Sequence, residues 1–451
     1  MRIPQTPPPV RELIEEISSD RMMQLLELAQ TAKTPQSYLH WDKLRHHKAP
    51  EGIHHREWWL LEKLARMRAL QDVPLKDKKG NPFQFCIPGF VQKELHQIDL
   101  GMGGQISMPE PITNPHTRDR YLVSSLMEEA ITSSQLEGAV TTRDVAKEMI
   151  RSQRQPRDLS EQMILNNYQT MRYIRTQKNT PLSPELIFTI HRMVTEKTLE
   201  DPTAAGRLRK EQENRVVGDD YGQVFHAPPS AKELAARMEA MCAFANGQTP
   251  NTFIHPVARA IILHFWLAYD HPFVDGNGRT ARALFYWSML KGGYWLFEFI
   301  SISKILRKAQ AKYNRSFLYT ETDGNDLTYF LVAQIKVIRQ AIDELHSYIQ
   351  RKTAEVREME SRLSALDHFN HRQVALIRHA LKHPGHHYTI HSHRESHNVV
   401  YQTARTDLLD LVQQRILDMR KKSKQMVFIS PADLTHRLQR TSQQTTTSLN
   451  Y

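Results

Sequence analysis

Apolar residues recur at spacings of three and four over most of the chain, the period of helices that bury one face. In the first 115 residues the segments Val10–Ala29 and Arg56–Leu70 carry this pattern, after the prolines Pro7, Pro8 and Pro9. The stretch Lys76–Pro82, with Gly80, Asn81 and Pro82, predicts a loop. Gly101–Gly104, followed by Pro109, Pro111 and Pro115, predicts a boundary near 115, so residues 1–115 read as a helical amino-terminal region. The helical period then dominates 116–351, with a helix expected from Leu122 to about Leu136. It breaks at Asn214–Pro228, where Val216-Val217-Gly218 and Gln223-Val224-Phe225 flank Asp219-Asp220-Tyr221-Gly222 and predict a β-hairpin. Val257–Ala268, apolar almost all round, predicts a buried helix, and Ala283–Leu290 predicts another.

Residues 365–435 change character. A helix over Gln373–Leu381, a loop through Pro384-Gly385, a helical stretch Ala404–Leu417 and a basic turn between Met419 and Val427–Ile429 predict a winged helix-turn-helix. Residues 436–451 predict a flexible tail. The expected fold class is mainly α, with one small β-hairpin, the winged module and more than one domain.

Composition narrows the class. The chain has 451 residues, 40% hydrophobic and 24% charged, which excludes a disordered or fibrous protein. Cys86 and Cys242 have no close partner and read as reduced thiols. The start, MRIPQTPPPV, lacks the apolar core of a signal peptide, and apolar runs such as Ile261–Phe265 are too short to cross a bilayer, so a cytoplasmic protein without membrane contact is expected. Sixty Lys and Arg against 49 Asp and Glu give a net charge of +11, which suits a nucleotide or nucleic acid and equally a merely soluble basic surface.

The chemistry concentrates in His271-Pro272-Phe273-Val274-Asp275-Gly276-Asn277-Gly278-Arg279-Thr280-Ala281-Arg282, between the two apolar helices. Gly276, Asn277 and Gly278 can adopt left-handed angles and turn successive N–H groups toward one anion at the positive end of the next helix. Arg279 and Arg282, three apart, share a face and can fork onto phosphate oxygens. Asp275 is a hard oxygen ligand suited to Mg²⁺, and His271 titrates near neutrality and can take a proton from a hydroxyl. Together they describe a nucleotidyl- or phosphoryl-transfer site, against the bland alternative of a Gly/Asn turn beside a solvated Arg pair.

This segment resembles the complete motif of the Fic family, HPF-x-D-G-N-G-R-x-x-R, and the likeness extends through Phe253-Ile254-His255-Pro256 and loosely over 115–351. The resemblance implies transfer of AMP from ATP to a Ser, Thr or Tyr hydroxyl of a target protein, the chain itself being one open target. It assigns His271 as general base, Asp275 as Mg²⁺ ligand and Gly276–Gly278 as the anion hole, with Asn277 on the α-phosphate. Arg279 is assigned to the β-phosphate and Arg282 to the γ-phosphate; Thr280, Ala281 and Tyr313 complete the ATP-binding set, while Phe273 packs inward. Gly278, where phosphorylating relatives carry Lys, implies AMP transfer. Tyr313 and Asn325 stand where the family builds its adenine pocket, with a core role for either left open.

Ser133-Ser134-Gln135-Leu136-Glu137-Gly138 resembles the family's inhibitory pattern, Ser/Thr-x-x-x-Glu-Gly/Asn, defined here by Ser133, Glu137 and Gly138. It implies that Glu137 takes the guanidinium of Arg282 away from ATP. In some relatives the same Glu orients a hydrolytic water, so removal of AMP stays open, as does transfer of another nucleotide. The hairpin Asn214–Pro228 occupies the family's flap position, where an extended target segment pairs with the exposed edge and Phe225, His226 and Pro228 can close over its side chain. Tyr401–Leu408 resembles a recognition helix, with Arg405, Arg420-Lys421-Lys422 and Lys424 placed for DNA phosphates. A DNA-binding regulator with a nucleotide-sensing core is the alternative from another class, and a homodimer is left open. His386, His387, His391 and His393 read as solvated loop histidines rather than metal ligands.

Overall fold

In the computed structural model the described residues are 2–31, 37–102, 115–213, 216–218, 222–364, 369–383, 385–422, 425–431, 433–434 and 437–438. The chain divides into two units, Met1–Ser347 and Tyr348–Tyr451, and the division falls within the helix Thr328–Ser364. Mainly helical structure with small antiparallel sheets agrees with the expected class. Among the described residues no helix is long and apolar enough to cross a membrane.

The first unit opens with α1 (Val10–Glu15), α2 (Ser19–Thr31), α3 (Trp41–Leu44) and α4 (His55–Met67), which close a small core around Leu13, Trp41, Leu44, Trp59 and Leu60. The loop expected at Lys76–Pro82 is the turn of an antiparallel hairpin, β1 (Gln71–Lys76) and β2 (Pro82–Phe85), absent from the purely helical reading of this region. Val73, Leu75, Phe83 and Phe85 alternate inward with period two, in strands too short to stand out from the helical pattern around them. Helix α5 (Gly89–Met102) follows.

The break near 115 separates no unit, because polar side chains tie the amino-terminal region to residues 323–329. Lys63 Nζ lies 2.8 Å from Asp323, Arg66 donates to Tyr329 Oη at 2.7 Å and Tyr38 Oη to Asp326 at 2.6 Å. Arg66 and Asp326 are buried and could not be without such partners.

The rest of the unit runs α6 (Pro115–Leu136), α7 (Arg143–Ser152), α8 (Leu159–Thr176), α9 (Pro184–Thr195), β3 (Val217–Gly218), β4 (Val224–His226), α10 (Leu234–Ala245), α11 (Pro256–Asp270), α12 (Asn277–Lys291), α13 (Ile302–Lys308), α14 (Gln310–Thr322) and α15 (Thr328–Ser364). Helix α11 is the stretch read as apolar all round, and it packs along α12, which also meets α6, α8 and α9. Helix α6 is fixed by Glu129, a buried carboxylate that accepts from Tyr286 Oη (2.9 Å), Ser301 Oγ (2.8 Å), Ser303 N (3.1 Å) and Ser303 Oγ. A buried charge is tolerable when its lone pairs are met in this way.

The second unit comprises α16 (His371–Lys382), β5 (His387–Tyr388), α17 (Ile390–His397), α18 (Tyr401–Gln413), β6 (Asp418–Lys422) and β7 (Gln425–Ile429), with the antiparallel sheet ordered β5-β7-β6. Ile377, Leu408, Leu411, Ile416 and Phe428 form its core. The expected helix Ala404–Leu417 begins and ends earlier, as α18. Of the four histidines read as solvated, His386 lies in the turn before β5, His387 in β5 and His391 in α17, all exposed, whereas His393 on α17 is buried with Nε2 3.2 Å from Asp407, which also accepts from Arg372 (2.7 Å) and Asn370 (2.8 Å). Among the described residues no group of three His, Cys, Asp or Glu is arranged to hold a metal. Pro384, Lys424, the flap residues Asn214 and Asp219–Tyr221, and all of the expected tail except 437 and 438 lie outside the described residues.

Candidate functional site

Helix α11 ends because His271 takes a left-handed angle, φ 45°, while its N–H still donates to the Leu267 carbonyl at 3.0 Å. The chain re-enters a helix after Gly276, φ 78°, where a Cβ would also stand 2.6 Å from Thr195 Cγ2. Glycine is therefore required there twice over.

Distant groups fasten the loop between these points. His191 Nδ1 accepts from the Gly206 N–H at 2.9 Å, which leaves the ring proton on Nε2 to be donated to the Asp275 carbonyl at 2.9 Å. The same ring stacks on Phe273, centroids 3.7 Å apart, and Phe273 is buried. Arg209 donates from Nε to the His271 carbonyl and from its backbone N–H to the Pro272 carbonyl, both at 2.9 Å. The Asn277 amide spans Phe273, accepting from its N–H and donating to its carbonyl at 2.9 Å each.

His271 is held neutral. Burial, then the neighbouring His226, brings its pKa down to about 4, so the imidazole can accept a proton at neutral pH. The first N–H groups of α12 precede its first turn bond, Thr280 N to the Gly276 carbonyl at 3.0 Å, and present the positive end of that helix. Asp275 keeps a 58% exposed side chain and accepts from Arg279 at 3.2 Å.

Glu137 stands over this helix start. Helix α6 stops at Leu136, Gly138 takes φ 96°, and the Ala139 N–H closes onto the Ser134 carbonyl at 3.1 Å, a glycine-terminated end that turns Glu137 inward. Its Oε1 accepts from Arg282 at 2.7 Å, and a Cβ placed on Gly278 would lie 2.2 Å from the same oxygen. Buried Arg282 also donates to Ser133 Oγ (2.8 Å) and the Ser133 carbonyl (3.0 Å). Burial alone would lower the Arg282 pKa; the Glu137 charge overrides it and raises it. Tyr313 Oη is 3.0 Å from His264 Nε2, and burial pushes the phenol up to about 12.

The structure thus brings together Ser133, Glu137, Gly138, Gly278 and Arg282 across 149 positions of sequence. It places several other expected residues differently. Arg279 does not share an outlook with Arg282: it is buried and donates to the Val194 carbonyl at 2.7 Å as well as to Asp275. Thr280 Oγ1 bonds back to the Gly276 carbonyl at 2.8 Å and Ala281 is fully buried, so neither side chain lines an open site. Those faces of α12 are taken by α8, α9 and α11. The Asn277 amide is spent on Phe273, which leaves its backbone N–H for an anion. Asn325 donates to Asp77 at 3.0 Å, serving the β1–β2 turn.

In the hairpin, Val217 pairs with His226 and Gly218 with Val224, while Val216, Val217 and Val224 are exposed. His226 is buried, its ring between Glu321 (2.8 Å) and the Tyr269 carbonyl (2.7 Å), and Pro228 is buried too. They anchor the hairpin instead of closing over a target. His191, Arg209 and Glu129 were missed by sequence reasoning because each acts on residues 62 to 174 positions away. The one local signal was a histidine within the apolar stretch Leu186–Val194.

Residues 181–289 match the Fic/DOC family. The chain is 32% identical over 139 residues to the protein adenylyltransferase Fic of Nematostella vectensis, covering 30% of each chain. It is 34% identical over 126 residues to that of Drosophila grimshawi, covering 28% of this chain and 24% of the relative. The chain thus spans under a third of the length of these curated relatives. Among solved structures, a Fic family protein from Desulfovibrio desulfuricans G20 shares the fold at a TM-score of 0.53 and 18% identity, over 75% of this chain and 94% of that one. The complete loop motif lies inside the matched segment, so residues 181–289 form a segment of the Fic/DOC family.

Proposed function

We propose that this protein is an adenylyltransferase that moves AMP from ATP to a hydroxyl of a target protein, and that Glu137 restrains it. The observation that carries the reading is the Glu137 carboxylate, 2.7 Å from Arg282 and directly over Gly278. An anion already sits where the helix start and a buried guanidinium would receive phosphate. The curated relatives named adenylyltransferases support the reaction class.

In the reaction, neutral His271 takes the proton of the target hydroxyl as that oxygen bonds to the α-phosphorus. The bond from the α-phosphorus to the bridging oxygen breaks, and pyrophosphate leaves. The N–H groups from Gly276 to Gly278 hold the phosphates, and Arg282, once freed from Glu137, holds the terminal one. Asp275 fits Mg²⁺, an ion commonly held by one or two carboxylates together with substrate phosphates and water; when bound it would neutralise phosphate charge. Arg279 orients the Asp275 carboxylate from its buried position. An extended target segment would pair along the exposed edge at Val216 and Val217.

Labelling with α-labelled ATP and Mg²⁺ tests this. Glu137→Gly should label strongly, the wild type weakly and His271→Ala not at all. If Glu137→Gly instead abolished turnover while the wild type stripped AMP from a modified target, the hydrolytic reading would replace it. For the second unit, the order of α16–α18 and the β6–β7 hairpin supports a winged helix, with Arg405, Arg420 and Lys421 meeting DNA phosphates. A gel shift that weakens steeply with salt is the expected result, and no shift at low salt would remove DNA from the reading.

A further inference from the structure

The first unit contains a cavity of about 380 Å³, walled by α3, α13, α14 and α15, that the proposed reaction does not use. Lys43, Lys312, Arg315 and Lys336 converge on it, and no carboxylate is among the described residues that line it. None of the four forms an ion pair among the described residues. Lys43 lies over the Tyr319 ring, 5.8 Å from its centroid. Burial, then Arg315, Lys336 and Lys312, lowers the Lys43 pKa, the sign of cations held together. The nearby carboxylate, Asp42, is already committed to Arg45 (3.5 Å) and to the Gln5 N–H (2.9 Å).

A second, independent feature points the same way. Gln334 lines the cavity, is 2% exposed, and its amide nitrogen has no hydrogen-bond partner among the described residues. A buried donor left unmet is costly unless something arrives to accept from it. Val332, Val337 and Leu306 add an apolar wall.

We propose that this cavity binds a small ligand that carries a phosphate or pyrophosphate group on an apolar or aromatic body. The four cations at its mouth take the anion, and Tyr319, Val332 and Val337 take the body. The volume lies in the range of small-molecule pockets, and a concave apolar floor suits a compact ligand better than a polymer backbone. Of the residues of the candidate transfer site, only Tyr313 also lines this cavity, so the inference stands apart from the reaction proposed above.

Calorimetric titration of the full chain with ADP, inorganic pyrophosphate and adenosine tests it, with Gly278→Asp used to silence the transfer site by putting a carboxylate into its phosphate cradle. In Gly278→Asp, one ADP per chain should still bind. Adding Lys312→Gln and Lys336→Gln should weaken it by at least about tenfold, and Lys312→Arg with Lys336→Arg should preserve it. Gln334→Leu, which leaves the charges in place, should also weaken ADP. Pyrophosphate should compete with ADP, and adenosine should bind at least about tenfold more weakly. ADP binding that vanished in Gly278→Asp, or that ignored both the lysine pair and Gln334→Leu, would overturn the proposal. Displacement of ADP by single-stranded DNA that strengthens with oligonucleotide length would overturn it in favour of a nucleic-acid surface.

Discussion

The loop His271–Gly276 and the β3–β4 hairpin serve two sides of the proposed reaction and are built in contrasting ways. The loop is tied by Arg209, His191 and Asn277 through five hydrogen bonds to its backbone, with Phe273 sunk beneath it. Among its described residues the hairpin pairs at two positions, and three valines face solvent. Groups that must meet a phosphorus atom are set in place before the nucleotide arrives, because misplacement is expensive in rate. Under the proposed reaction the groups that would meet a variable polypeptide form an open edge, because backbone pairing asks little of sequence. Glu137 belongs to the first side: it is delivered by a helix that Glu129 holds in place, so under the proposed restraint release would require the side chain to turn away more than the helix to leave.

The contrast can be broken at its strongest point first. In a Glu137→Gly background, His271→Ala should lower label transfer by about 10²–10⁴-fold while ATP still binds, since only the base is gone. Loosening the loop without touching the reacting atoms comes next. His191→Ala or Arg209→Ala should reduce kcat by about 10²-fold and lower the melting temperature, and at position 191 Gln should recover part of kcat by restoring one hydrogen bond. If kcat were unchanged, the loop would not depend on its fastenings.

The hairpin should respond differently. Val216→Pro, which removes an edge N–H, should raise KM for a target peptide by roughly tenfold and leave nucleotide binding and melting unchanged. A fall in kcat with KM constant would show that the hairpin shapes the reaction centre instead.

The smallest effect is on pH dependence. Burial lowers the pKa of His191 and His271 to about 4 and of His264 to about 3. Their unfolded values lie near 6.5, so the stability from keeping them neutral is complete above that pH. It is lost as pH falls toward the folded values, because the unfolded chain takes up protons first. Melting temperature should therefore decline from pH 6.5 to 4.5, and transfer by Glu137→Gly should persist to about pH 5, since His271 stays neutral. A loss of transfer centred near pH 6.5 would show an exposed base.

Much of the fold could be read from local pattern. Val257–Ala268 announced α11 by being apolar almost all round, and the flanks Val216–Gly218 and Gln223–Phe225 around Asp219–Gly222 announced β3 and β4. The first strand pair escaped because Gln71–Lys76 and Pro82–Phe85 carry only two inward residues each, too few for an alternating signal amid helices. Within the histidine-rich stretch His393 escaped, because exposure was inferred from composition and this ring is buried against Asp407.

Sequence by itself determined where the chain must bend and what chemistry is at hand: a histidine, an aspartate, two arginines and glycines within twelve positions, and a glutamate before a glycine. Backbone angles and residue chemistry are local properties, so spacing reveals them. Only the tertiary structure decided which of these groups face the site. Arg279 and Arg282 sit three apart on one helix, yet one is spent on the Val194 carbonyl and Asp275 while the other meets Glu137. On a helix packed on nearly every side, a side chain's partner is chosen by the neighbours the fold brings in from far along the chain.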